Sequence, residues 1–286
     1  MTVSEQLVRV GPAVELFVAR TTAAPGSCPL LVIHGGPDWD HSYLREPIVE
    51  RASRHDLIFP DLRGCGRSTR GLPDDHYTPD AATADLVALL DALGVRQADV
   101  LGFSYGGYLA QRLTLAAPER VRRLVVASSA VLPVPPDAFD GWAERDRRRA
   151  AEAEVWADPS LSGPELTRAA ALAGAEANVW RPEVLDAYRE RVSRVRFSAE
   201  WARPYLAGTL PTARVDRAPE RFAALGLPIL LLHGRQDMTF PAELAEQAAK
   251  LIPSARAVVL DEAGHMAHVD QPVRWTAALA DFLDRP

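Results

Sequence analysis

Scarcity narrows the class of this chain first. Its 286 residues include only two cysteines, Cys28 and Cys65. That is too few for a disulfide framework, and no CxxC or Cys/His spacing suggests a metal. Lysine is nearly absent: Lys250 is the only one, so arginine carries the basic charge. There is no excess of it. The formal net charge is −6, which argues against a nucleic-acid partner, because neutralising phosphates takes clustered Lys and Arg. Arg145, Arg147, Arg148 and Arg149 are interrupted or flanked by acids and read as a solvated helix face. No apolar run approaches the ~18–20 residues that cross a bilayer. Residues 1–6 lack the basic stretch and apolar run of a secretory signal. The expected compartment is the cytoplasm, with no membrane partner.

What is present is an ordinary globular balance, 48% hydrophobic and 24% charged, long enough for one large core. Short continuous apolar runs at 30–33, 57–59, 98–101, 124–127, 229–232 and 257–260 read as parallel strands buried on both faces. Segments 7–10 and 13–19 read as an antiparallel pair turned at Gly11 and Pro12. Thr78 followed by Pro79 gives a capping hydroxyl and a first-turn proline. Leu86, Leu89, Leu90 and Leu93 then keep helical spacing, and Gly94 ends the helix. Helices are also predicted over 105–116, 242–251 and 273–283. Strand and helix alternating in this way imply an α/β fold, a mostly parallel eight-stranded sheet with helices on both faces.

The alternation breaks once, for about a hundred residues before the run at 229–232. Segments 138–157, 163–177, 182–192 and 199–206 look helical, and a structureless loop of that length is improbable. The expected organisation is a core of residues 1–130 and 220–286 with a helical cap of residues 131–219.

Three patterns carry chemistry. Gly102-Phe103-Ser104-Tyr105-Gly106-Gly107 lies between a predicted strand and a predicted helix. A serine there sits on a strained turn above the sheet edge, and Gly102 and Gly106 let strand and helix approach. A phosphate-binding loop would need a downstream Lys-Ser/Thr or a third spaced glycine. Ser104 is therefore the candidate nucleophile. It needs a base and an acid to hold that base, in the chain order Ser, Asp or Glu, His. Asp237 and His265 follow strand ends, where ligands bind in open α/β sheets. His268 is expected to lie on the surface or to pack, and His233 to hydrogen-bond the backbone. Asp261 and Glu262 sit on the loop of His265 itself and reach under it poorly. Finally, His34-Gly35-Gly36-Pro37 follows a strand, and the N–H groups of Gly36 and Tyr105 are the expected oxyanion donors. The Gly36–Pro37 bond is a candidate for the cis form.

With these residues the chain resembles an α/β-hydrolase with a helical cap, most closely the proline iminopeptidase group. His34–Pro37 is similar to the group's HGGP, and Asp61-Leu62-Arg63-Gly64-Cys65-Gly66-Arg67-Ser68 to its DxRGxGxS. Ser104, Asp237 and His265 match the triad positions. The resemblance implies nucleophilic hydrolysis with no cofactor. The substrate is expected to be a small, moderately hydrophobic ester, lactone, thioester or amide. Asp61, Arg63 and Ser68 are expected to fix a loop, and Cys65 to be a packed thiol. Two departures stand out. Pro37 is followed by Asp38, where the aminopeptidases carry glycine, and the cap shows no counterpart of their amine-binding tryptophan-rich motif. Asp38 is thus either a substitute carboxylate for a substrate amine or an N-cap or surface residue. An aminopeptidase, and a non-hydrolytic enzyme or ligand receptor on the same fold, are the alternative functions.

Overall fold

The computed structural model describes residues 3–21, 28–51 and 55–285. The chain opens with β1 (Val3–Gly11) and β2 (Val14–Thr21), then β3 (Leu30–Ile33), α1 (Ser42–Arg51), β4 (Leu57–Pro60) and α2 (Pro79–Ala92). It continues through β5 (Ala98–Phe103), α3 (Tyr105–Ala116) and β6 (Val121–Ala127). Six helices follow: α4 (Ala143–Ala157), α5 (Gly163–Ala173), α6 (Ala175–Asn178), α7 (Leu185–Ser193), α8 (Ala202–Leu206) and α9 (Ala218–Leu225). The chain then closes with β7 (Ile229–Gly234), α10 (Ala242–Leu251), β8 (Ala255–Leu260), α11 (Ala267–Asp270) and α12 (Pro272–Leu283).

The eight strands form one sheet in the order β1-β2-β4-β3-β5-β6-β7-β8. β2 pairs antiparallel with both β1 and β4, and every other pair is parallel. Alternate side chains of the same strands feed two cores, as the pleat requires. Leu31, Ile33, Val100, Leu124, Val126 and Leu231 pack on one face with α2, α3 and α10. Leu30, Val32, Leu101, Val125, Leu230 and Leu232 pack on the other with α1 and α12. This double burial is why the strands read as continuous apolar runs.

Thr78 Oγ1 accepts from Ala81 N–H ahead of Pro79, and Gly94 turns the chain at φ +65°. α3 and α10 match their expected spans to the residue. α1 had no legible periodicity because Pro47 interrupts it, with Glu46 at φ −94°, ψ 133°. The expected limit of the inserted region, at 219/220, falls inside α9, whose Ala218 and Phe222 pack into the core of α10.

The cis bond among the described residues is Glu46–Pro47, and Gly36–Pro37 is trans. Trp39 N–H donates to Gly36 O at 2.8 Å, closing a turn with Pro37 second and Asp38 third. A cis proline belongs at the third place of such a turn, so the sequence expectation for Pro37 fails on its position.

Candidate active site

The strand β5 delivers the chain to Ser104, which caps α3 at φ +54°, ψ −122°. Positive φ costs an L-residue roughly 1–2 kcal/mol, and the packing around Ser104 sustains it. Ser104 N–H donates to Ala127 O on β6 at 2.9 Å, and Gly107 N–H donates to Ser104 O at 2.8 Å. A Cβ on Gly106 would lie 2.3 Å from Ile33 O, and one on Gly102 would lie 2.2 Å from Gly106 O. Glycine at both places lets α3 press onto the sheet. Tyr105 opens α3, so its N–H has no partner within the helix.

The other two candidates come from the ends of β7 and β8. Ser104 Oγ lies 3.0 Å from His265 Nε2, and His265 Nδ1 lies 3.0 Å from Asp237 Oδ2. A carboxylate only accepts, so the proton of a neutral His265 sits on Nδ1 and Nε2 is left to accept from the serine hydroxyl. The imidazole lies between the rings of Phe103 and Phe240, at 5.2 and 5.9 Å.

Asp237 is buried. Its Oδ1 accepts from the N–H groups of Thr239 and Phe240, at 2.7 and 3.0 Å. Burial by itself would raise its pKa, but the charge of His265 and hydrogen bonds from His233 and His265 hold it well below the usual carboxylate range. His233 Nε2 lies 2.9 Å from Phe240 O and 3.1 Å from Asp237 Oδ2. Both are acceptors, so one N–H is shared between them. His233 does bond the backbone as expected, and it also touches Asp237, a role the sequence reading missed. The available signal was its place four residues before Asp237, at the end of the same strand.

The loop holding His265 is tied on both sides. Gly264 N–H donates to Asp270 Oδ2 at 2.8 Å, and Met266 N–H donates to Asn178 O at 2.7 Å. Asp270 also accepts from the N–H groups of Trp180 and Arg181. Nothing in the sequence singled out Asp270. His268 is fully buried in α11 against Phe103, Tyr43 and Trp275, and that burial pushes its pKa down to about 3.

The early loop is set by paired polar groups. His34 takes Leu62 N–H at Nε2 and points Nδ1 at Gly35 O. Asp61 pairs with His41 at 2.6 Å and accepts from Arg67 N–H, Ser68 Oγ donates to Asp61 O, and Arg63 grips Asp85 at 2.6 and 2.7 Å. Cys65 is fully buried, which pushes its thiol pKa well up. These residues take the structural places expected of them.

Asp38 has its carboxylate occupied. Oδ1 accepts from Ser198 Oγ and Trp201 N–H at 2.8 and 3.0 Å, and Oδ2 from Ala202 N–H at 2.7 Å. Asp38 is buried and not a surface residue, and its carboxylate accepts from the N–H groups at the start of α8, whose own cap position is Trp201. Asp38 also lines the cavity described below.

Beside Tyr105, the residue after Ser104, lies a cavity of about 920 Å³ whose lining also includes Gly36 and Asp38. Its walls carry Trp39, Tyr108, Trp156, Trp201 and Tyr205. Glu152, a carboxylate on the wall, is paired with Arg149 at 2.7 Å, and Arg149 also donates to Thr239 Oγ1.

A doubly covered, mostly parallel sheet with a serine elbow and a helical insertion after β6 defines a class. The model of one family, the alpha/beta hydrolase fold, matches residues 29–272. The chain is 31% identical over 265 residues to the 2-hydroxymuconate semialdehyde hydrolase of Pseudomonas sp. (strain CF600), covering 89% of this chain and 86% of that one. It is also 31% identical to a rhodomycin D methylesterase of Streptomyces sp. (strain C5), over 84% and 86% of the two chains. The structure of a proline iminopeptidase-related protein from Thermus thermophilus superposes with a TM-score of 0.73 at 25% identity, over 99% of both chains. The chain belongs to the α/β-hydrolase family and is a hydrolase. Among the described residues no helix is long and apolar enough to cross a membrane.

Proposed function

We propose that the protein is a serine hydrolase that cleaves an ester, lactone, thioester or amide of a small, moderately hydrophobic molecule. The observation that carries this reading is the chain of contacts Ser104 Oγ, His265 Nε2, His265 Nδ1, Asp237 Oδ2, with 3.0 Å at each link between residues. Ser104 attacks the substrate carbonyl while His265 takes the hydroxyl proton at Nε2. Asp237, ionised throughout, holds the ring and stabilises the imidazolium. The carbonyl oxygen becomes an oxyanion held by the N–H groups of Tyr105 and Gly36. His265 returns the proton to the leaving group, and Ser104 keeps the acyl group as an ester. Water activated by His265 then releases the acid and restores the serine.

The cavity supports a ligand of moderate size and low polarity, since apolar and aromatic residues make up most of its walls and its two carboxylates, Asp38 and Glu152, already have partners. The bonds of Asp38 favour substrates without a free amine at that place. The relatives named above act on quite different molecules, and that range supports no single substrate. Ser104→Ala is expected to lower kcat by about 10⁵–10⁶-fold on the best ester of a screened panel, and to abolish labelling by a fluorophosphonate probe. Wild-type turnover in that variant would end the reading.

A further inference from the structure

Asp38 stands where the chain needs positive φ. The turn Gly36-Pro37-Asp38-Trp39 is closed by Trp39 N–H to Gly36 O at 2.8 Å, and Asp38 has φ +78°. Proline fixes the second residue at negative φ, so the turn is of type II, whose third residue is most cheaply glycine. Aspartate there accepts backbone strain that glycine avoids. What it gains is a carboxylate that reaches the inserted helices. Besides the three donors on its carboxylate oxygens, Asp38 O accepts from Ser198 N–H at 2.9 Å. Ser198 O in turn accepts from Thr167 Oγ1 at 2.6 Å, and Thr167 lies on α5 and lines the cavity beside Ala170 and Ala171. Trp201, whose N–H Asp38 holds, lines the cavity as well and anchors its ring by Nε1 to Arg63 O at 2.7 Å.

An unbroken run of hydrogen bonds thus joins the cavity wall on α5 to a residue two places after Gly36. We propose that Asp38 is a positioning residue: it fastens the inserted helices to the turn carrying the Gly36 N–H. A substrate filling the cavity against α5 thereby sets the oxyanion donor. The inference rests on the serine hydrolase reading for its kinetic consequence, though not for the fastening itself. It distinguishes Asp38 from a mere turn residue, because glycine would serve the turn better but would keep only the backbone bond to Ser198 and lose the three carboxylate bonds.

The test compares wild type with Asp38→Gly and Asp38→Asn on p-nitrophenyl acetate and on p-nitrophenyl octanoate, whose longer acyl chain fills more of the cavity. Removing an oxyanion donor costs about 10²–10³ in kcat; loosening one costs less. Asp38→Gly is expected to lose about 10- to 100-fold in kcat on the octanoate, with KM little changed and a much smaller loss on the acetate. Asp38→Asn, which keeps one acceptor oxygen, is expected to fall between. Wild-type kcat on both esters in Asp38→Gly, or an equal loss on both, would overturn the proposal. Hydrogen exchange reads the fastening without turnover. In Ser198→Ala, which removes one donor to the Asp38 carboxylate and leaves the turn residues intact, the amide of Trp39 is expected to exchange faster, and unchanged exchange there counts against the proposal. If turnover proves independent of Ser104, the serine reading falls while the exchange result still decides the fastening.

Discussion

At the scale of single residues, the site works through groups whose charge is fixed by their surroundings. Asp237 is buried yet ionised because two imidazoles and two backbone N–H groups meet it. His268, three residues after His265, shows the opposite balance: it has aromatic neighbours, and burial holds it neutral down to about pH 3. An unfolded histidine takes its proton near pH 6.5. Between those values the unfolded chain binds the extra proton, so stability falls as the pH drops from about 6.5 toward 3. Replacing His268 with phenylalanine removes that contribution. From pH 7.5 to pH 5 the wild type is expected to lose about 2 kcal/mol more than the variant, measured by urea unfolding. Parallel pH curves would show that His268 does not titrate as its burial demands.

At the scale of elements, α3 and β5 form the unit that raises Ser104. Their approach is limited by backbone on both sides, so the sequence must spell glycine where they touch. Gly106 faces Ile33 O and His34 O, neither of which can rotate away as a side chain could. Gly106→Ala is expected to destabilise the fold by about 2–3 kcal/mol, seen as a lower denaturant midpoint with an unchanged slope. A neutral substitution would mean that α3 is free to shift. The same unit was the most legible part of the chain. A continuous apolar run, two spaced glycines and a serine are all local signals, and α3 spans the residues they indicated. α1 was illegible because proline breaks its periodicity and tertiary packing of Tyr43, Leu44 and Ile48 holds it in place instead.

At the scale of the whole molecule, two buried carboxylates join the inserted helices to the loops around Ser104. Asp38 bonds residues 198, 201 and 202, and Asp270 bonds residues 180 and 181 together with Gly264, the neighbour of His265. Burial raises the pKa of both, opposed by these hydrogen bonds. Removing the Asp270 carboxylate leaves one buried and two part-buried N–H groups without their acceptor. Asp270→Ala is expected to cost about 3 kcal/mol. It should also speed exchange of the Trp180, Arg181 and Gly264 amides while β5 and β6 stay protected. Uniform loss of protection would instead mark Asp270 as part of the general core.

The sequence by itself determined what depends on neighbours along the chain. The strands appear as runs buried on both faces, α2 and α3 through their caps and glycines, and Ser104 through its turn. Asp237 and His265 were legible because each follows a strand end, and the sheet brings strand ends to one edge. Only the tertiary structure decided what depends on residues far apart in sequence. It placed His233 against Asp237, bonded the Asp38 carboxylate to the start of α8, set Pro37 in a trans turn, and gave Asp270 its three donors. Such roles are fixed by which buried N–H groups lack an acceptor once the helices have packed, and no local pattern of residue types records that.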